Sequence, residues 1–322
     1  MTTSTARAIR SRRSNLAVPG SNVRMLEKSK TLATDQVFLD LEDSVSPVAK
    51  EQARANVVSA LAEGGYGTRV RAVRINGVGT PWAAQDLDVV MRGAGTHLDC
   101  IMLPKVSTTA DVFWLTERLD ALEEQLGLVS GSIGIEVQIE DALGLVNVDA
   151  IAASSHRIET IIFGPADFMA SLNMRTLNVG LQPPGYVEGD AYHYVLMRLL
   201  VAGRAFGKQV IDGPYLGIKD LDGLRLTASR SAALGFDGKW VLHPDQIDIV
   251  NDIFSPTQED YDHAELILDA YDFYTSAEGG ARGAVMLGDE MIDEASRKMA
   301  LVLSAQGRAA GLVRTRKFEE GM

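Results

Sequence analysis

The chain has 322 residues, 46% of them hydrophobic, with a formal charge of −12 and a sequence pI near 4.9. That is apolar material for one large domain and a smaller one, and its acidic balance argues against a duplex nucleic acid or an anionic membrane as partner. The single cysteine, Cys100, rules out an intrachain disulfide and suits a reducing cytoplasm, and no apolar run is long enough to span a bilayer.

Residues 1–14 hold Arg7, Arg10, Arg12 and Arg13 among Ser and Thr, without the apolar segment of a secretory signal. They read as a mobile basic tail. Strand candidates then follow at 15–18, 37–41, 70–75, 100–103, 133–139, 160–163, 210–211 and 240–242. Most are short continuous apolar runs, as expected of parallel strands covered on both faces. Helical patterns separate them at 23–32, 47–61, 82–92, 109–126, 142–153, 191–206, 221–234 and 244–253, the second with Ser46 as cap and Pro47 at its first position. Eight such alternations over roughly 240 residues predict a (β/α)8 TIM barrel. The competing open doubly wound sheet lacks its glycine-rich phosphate turn, since neither Pro19-Gly20-Ser21-Asn22 nor Gly77-Val78-Gly79 supplies one.

The barrel is expected over residues 15–255, and a C-terminal helical extension over 256–322. Within the extension, helices are predicted at 257–274 and 290–310, joined by the glycine-rich link 279–283. Two helices make little core alone, so they must pack on the barrel or on another subunit.

Barrel chemistry sits at the C-terminal ends of the strands. Ile133 to Glu140 reads as a buried strand ending in a carboxylate, and Ile158 to Asp167 repeats the pattern on the next strand. Two hard oxygen ligands side by side, with positions left for waters and substrate, are what Mg²⁺ prefers. The other strand ends add Asp40, Glu42 and Asp43, then Arg74 and Asn76, Lys105, Asp212 and His243. Bland readings stand beside these: Asp43 as a helix cap, Arg74 as a neutralising charge, Lys105 as a salt-bridge partner and His243 as a packed strand-end histidine. The planar fork of Arg74 nevertheless suits a carboxylate or a developing enolate oxygen.

Taken together, Pro19-Gly20-Ser21, Asp40-Leu41-Glu42-Asp43-Ser44, Arg74-Ile75-Asn76, Leu103-Pro104-Lys105, Ile139-Glu140, Gly164-Pro165-Ala166-Asp167, Asp212-Gly213-Pro214 and Trp240-Val241-Leu242-His243-Pro244 form a linked set. It resembles the CoA-ester lyases that include citrate lyase β subunits and malyl-CoA lyases. With its C-terminal extension the chain most resembles the L-malyl-CoA/β-methylmalyl-CoA lyases among them. The resemblance implies a cytoplasmic Mg²⁺-dependent enzyme (Mn²⁺ as an alternative ion) that cleaves or forms a 3-hydroxyacyl-CoA. It implies metal ligands at Glu140 and Asp167, acids holding the metal's waters at Glu42 and Asp43, and a substrate-contacting arginine at Arg74. It further implies CoA-phosphate contacts at Arg24 and Lys28, and a catalytic acid/base at Asp293 reaching a neighbouring subunit's barrel in a homo-oligomer, a trimer or hexamer. The linker 178–185 varies among such relatives, which leaves acyl selectivity open. Alternatives within the enzyme class are a citryl- or citramalyl-CoA lyase and a malyl-CoA thioesterase; outside it stands a CoA-ester-binding protein without turnover.

Overall fold

The computed structural model describes residues 10–319. The chain divides into two compact units, one ending at Phe254 and the other beginning at Ser255.

In the first unit, strands β1 (Ser14–Pro19), β2 (Gln36–Asp40), β3 (Val70–Arg74), β4 (Cys100–Leu103), β5 (Gly134–Ile139), β6 (Ile158–Phe163), β7 (Gln209–Asp212) and β8 (Gly238–Val241) form a closed parallel barrel. The ring shuts where Ser14, Asn15 and Leu16 of β1 pair with Lys239, Trp240 and Val241 of β8. Around it lie α1 (Val23–Ser29), α2 (Lys50–Glu63), α3 (Ala83–Ala94), α4 (Thr109–Leu126), α5 (Ala142–Val146), α6 (Val148–Ala153), α7 (Pro165–Ser171), α8 (His193–Ala205), α9 (Leu221–Leu234) and α10 (Ile247–Ile253). This is the (β/α)8 architecture the alternation predicts.

Local chemistry sets the element ends. Thr108 and Asp111 form a reciprocal capping box at the start of α4, and Gly127 ends it with a φ of 66°. Ser46 makes no capping hydrogen bond; Pro47 instead opens a 3-10 turn, Pro47–Ala49, ahead of α2. The helix predicted at 142–153 is two short helices broken at Asn147, whose side-chain amide donates to Ser107 O at 2.9 Å.

The barrel interior is layered. Its middle is apolar, with Phe38, Ala72, Met102, Ile162, Ile211 and Trp240 in one cluster. Below it, at the N-terminal ends of the strands, lies Arg12, 2% exposed. Its guanidinium donates to Gln36 (2.8 Å), Glu136 (3.0 Å), Gln209 (2.7 Å) and Glu159 (2.6 Å). This corrects the mobile tail. Residues 1–9, Arg7 among them, lie outside the described residues, but Arg12 and Arg13 are fixed, Arg13 by Asp35 at 2.8 Å. A buried guanidinium holds where carboxylates pay its desolvation, and an Arg- and Ser-rich run gives no sign of that from composition.

In the second unit, α11 (Gln258–Thr275) and α12 (Glu294–Ala309) pack with a hairpin of β9 (Ala284–Leu287) and β10 (Glu290–Asp293). The hairpin replaces the start of the helix predicted at 290–310. Gly288-Asp289 between two apolar-alternating runs is its turn signal. Val285 and Ile292 from the hairpin complete a core with Ala264, Ile267, Ala270, Tyr274 and Ala300.

Candidate active site

Above the apolar layer, the strand ends carry the charges. Asp40 ends β2 and is saturated with donors. Arg74 Nε and Nη2 donate to its two oxygens at 2.7 and 2.8 Å, and the amides of Glu42 and Ser44 donate at 2.9 and 3.2 Å. Asp40 therefore folds the loop after β2 and fixes the plane of Arg74. Arg74 also stacks over Trp240, 5.3 Å from the ring centroid, and its Nη1 lies 3.1 Å from Glu42. Although burial opposes its charge, Asp40, Glu42 and Glu140 hold the guanidinium protonated. Lys50 braces the same loop from behind, donating to the carbonyls of Leu41 and Glu42 at 2.8 and 2.7 Å.

Glu140 follows β5 and is buried. It receives the Lys105 amide on Oε1 at 2.6 Å and Gln138 Nε2 on Oε2 at 2.7 Å. Among the described residues no cationic side chain lies within ion-pair distance of it. Burial first, and then the charge of Glu42, push its carboxyl up to about 8; Asp167 adds to this and Arg74 opposes it. Gly164 at the end of β6 makes room for it: a β-carbon there would lie 2.4 Å from Glu140 Cβ and 2.6 Å from Oε2.

Lys105, Glu42, Asp43 and Asp167 close the mouth. The Lys105 ammonium donates to Glu42 in a short contact, and lies 3.2 Å from Asp43 and 3.8 Å from Asp167. Burial raises the Glu42 carboxyl even against Arg74 and Lys105. Asp167 stands in the first turn of α7 behind Pro165, its side chain 46% exposed. Five carboxylates (Asp40, Glu42, Asp43, Glu140 and Asp167) thus face three cationic side chains, Arg74, Lys105 and, from behind the loop, Lys50.

The donors fit a hard divalent cation on two grounds. Negative charge is in surplus, and Gln138 Oε1 is buried without a hydrogen-bond partner. Among the described residues, no three Asp, Glu, His or Cys groups converge tightly enough to cage an ion unaided. Glu140 and Asp167 would leave the remaining positions to waters and substrate, as Mg²⁺ sites commonly do.

Of the other candidate residues of the first unit, Arg24, Lys28, Asp212 and His243 make no hydrogen bond or ion pair with this cluster among the described residues. Arg24 and Lys28 project from α1 onto an open cleft of about 310 Å³, lined also by Val18, Asn22, Leu242 and His243. Neither pairs with a carboxylate among the described residues, so both charges are available to an anion. His243 caps the turn Pro244–Gln246 and stays half exposed, so it is not a packed histidine. Asp212 turns outward to Ser231 of α9 and to Lys239, 2.6 Å away, and leaves the mouth. In the second unit Asp293 is the N-cap of α12. Its Oδ1 accepts from the amides of Ala295 (2.8 Å) and Ser296 (3.1 Å), which lowers its pKa.

Residues 13–244 match the model of the HpcH/HpaI aldolase/citrate lyase family. The chain belongs to this family. It is a lyase by that membership. It is 37% identical over 305 residues to the L-malyl-CoA/β-methylmalyl-CoA lyase of Cereibacter sphaeroides, covering 92% of this chain and 95% of that protein. It is 34% identical over 290 residues to the citrate lyase subunit beta of Escherichia coli, covering 89% and 90%. Among solved structures it resembles protein CitE of Mycobacterium tuberculosis in complex with magnesium, acetoacetate and coenzyme A. The TM-score is 0.70 at 27% identity, covering 92% of this chain and 97% of that one.

In this family member, four residues to which the resemblance gave no role shape the mouth. Asp40 orients Arg74, Gln138 orients Glu140, Lys105 binds the acids, and Gly164 gives Glu140 its space. The period-two spacing of Gln138 and Glu140 on β5 is a signal for the second; no sequence signal marks the first as saturated rather than reactive.

Proposed function

We propose that this protein is a Mg²⁺-dependent carbon–carbon lyase that cleaves L-malyl-CoA to acetyl-CoA and glyoxylate, and β-methylmalyl-CoA in the same way, with Mn²⁺ able to substitute. The observation that carries the reading is the surplus of carboxylates around Glu140 beside an arginine locked in plane. The likeness over nearly the whole chain to an L-malyl-CoA/β-methylmalyl-CoA lyase supports it.

Glu140 and Asp167 would hold the ion, with Glu42 and Asp43 orienting its waters. Bound there, Mg²⁺ supplies a Lewis acid for the hydroxyl and carboxylate oxygens of the hydroxy acid. During cleavage the substrate hydroxyl gives its proton to water, its C–O bond becomes the carbonyl of glyoxylate, and the C2–C3 electron pair passes into the acetyl-CoA enolate. Arg74, held by Asp40 in one orientation, stabilises negative oxygen that grows only toward the transition state. It needs no reorganisation to do so, because Asp40 and Trp240 already fix it.

The enolate then takes a proton at carbon and becomes the acetyl methyl group. Asp293 is the proposed acid/base, supplied by a neighbouring subunit of a trimer or hexamer. Its lowered pKa makes it a weak base, so in the condensation direction it depends on a dry site and a stabilised enolate. Arg24 and Lys28 are proposed to hold CoA phosphates, and the enzyme to work in the cytoplasm.

The test is a panel of malyl-, methylmalyl-, citramalyl- and citryl-CoA, each with Mg²⁺ and with chelator, with products identified. Metal-dependent glyoxylate release from malyl-CoA is expected to dominate. Free malate without glyoxylate would indicate a thioesterase, preference for citryl-CoA a citrate-type lyase, and no turnover a binding protein.

A further inference from the structure

Lys105 touches the acid cluster twice. It follows β4 with a φ of 54°, a left-handed backbone that side-chain-bearing residues seldom adopt. That conformation accompanies the amide contact to Glu140 Oε1 at 2.6 Å. Its ammonium meanwhile serves the other acids, Glu42, Asp43 and Asp167. One residue therefore reaches all four carboxylates assigned above to the metal or its waters. The side chain is 42% exposed, so the ammonium stands at the end of an arm that is free to leave. The backbone half of the contact is fixed, since strain of this kind persists only where the surroundings over-determine it.

We propose that the Lys105 ammonium is an exchangeable internal counter-cation, which neutralises Glu42, Asp43 and Asp167 until a divalent cation binds and then withdraws, while the Lys105 amide holds Glu140 in both states. The inference rests on the metal reading above. Two cations of like sign a few ångströms apart repel strongly in a partly buried site. The acids satisfied by the ammonium overlap those assigned to the ion, Asp167 in particular. The exchange makes Lys105 a positioning residue: it keeps the mouth open and assembled, and lowers the affinity for the ion in return.

The experiment compares full-length wild type, Lys105→Met and Lys105→Arg by calorimetric titration with Mg²⁺ and by melting with and without the ion. Removing the competing charge is expected to tighten Mg²⁺ binding about tenfold in Lys105→Met, whereas Lys105→Arg stays within about threefold of wild type. The chelated Met variant is expected to melt lower than wild type and to gain more from Mg²⁺. A second readout uses wild type alone: acylation of Lys105 by an amine reagent, followed by mass spectrometry, is expected to quicken when Mg²⁺ is added. That arm stands even if the Met variant does not fold. Equal or weaker Mg²⁺ binding by Lys105→Met, or slower acylation of Lys105 in Mg²⁺, overturns the exchange while leaving the metal reading intact. Absence of Mg²⁺ binding by wild type and variants alike overturns both.

Discussion

The two ends of the barrel interior each bury an arginine among acids, and they differ in how the charges close. At the lower end Arg12 donates to Glu136 and Glu159, Arg10 lies 2.8 Å from Asp99, and Arg71 shares that carboxylate at 2.8 Å. Three arginines answer three carboxylates, and the amide oxygens of Gln36 and Gln209 take further donors. At the upper end Arg74, Lys105 and Lys50 face five carboxylates, and among the described residues Glu140 makes no ion pair. The apolar layer of Phe38, Met102 and Trp240 keeps the two sets apart. A saturated cluster is a strut. A cluster with surplus negative charge suits a cation.

Substitutions at the two arginines should therefore separate stability from catalysis. Arg12→Met strands Glu136 and Glu159 in the barrel floor and is expected to cost about 3–5 kcal/mol of stability. Chemical denaturation measures this, and Glu136→Gln in the same chain is expected to restore part of it. Arg74→Lys keeps the charge but loses the fork that meets Asp40. Turnover is expected to fall about 100- to 1000-fold while the melting temperature shifts little. A large stability loss at Arg74 with normal turnover would erase the distinction between the ends.

Smaller effects sharpen it. Mixing inactive Asp293→Asn and Glu140→Gln subunits is expected to recover activity in about a quarter of the sites, if a neighbour supplies Asp293. Background activity in a verified mixed oligomer would mean that Asp293 serves its own chain's barrel and that no site is shared. Gln138→Leu removes one donor from Glu140, and is expected to weaken Mg²⁺ binding about tenfold, read by titration.

The alternation of short apolar runs with helical periods was enough to reveal the barrel, because turn residues such as Pro19-Gly20, Asn76-Gly77, Gly164-Pro165 and Gly213-Pro214 punctuate the strand ends. Glu140 and Asp167 were legible as strand-end acids for the same reason: each is the first acid past a β-branched run. Arg12 was not legible, because its partners come from β2, β5, β6 and β7 and only closure of the ring brings them together. Lys105 was legible as a strand-end charge but not as a residue with two contacts, since its left-handed backbone carries no glycine to announce it. Asp212 misled because a strand end offers two faces, and one residue of register decides between mouth and helix.

If Glu140 holds a divalent cation, Mg²⁺ binding must depend on pH. Burial and Glu42 raise its carboxyl from an ordinary 4.5 to about 8. The folded protein then keeps a proton that the unfolded chain has released across that window, so in chelator this group's contribution to stability falls as pH rises through it. A cation must displace that proton. Mg²⁺ affinity in wild type is expected to climb steadily from about pH 6 to about pH 8 and to level off above, with proton release on binding, while Glu140→Gln binds weakly and without that slope. Equal, pH-independent Mg²⁺ binding by wild type and Glu140→Gln would contradict the account.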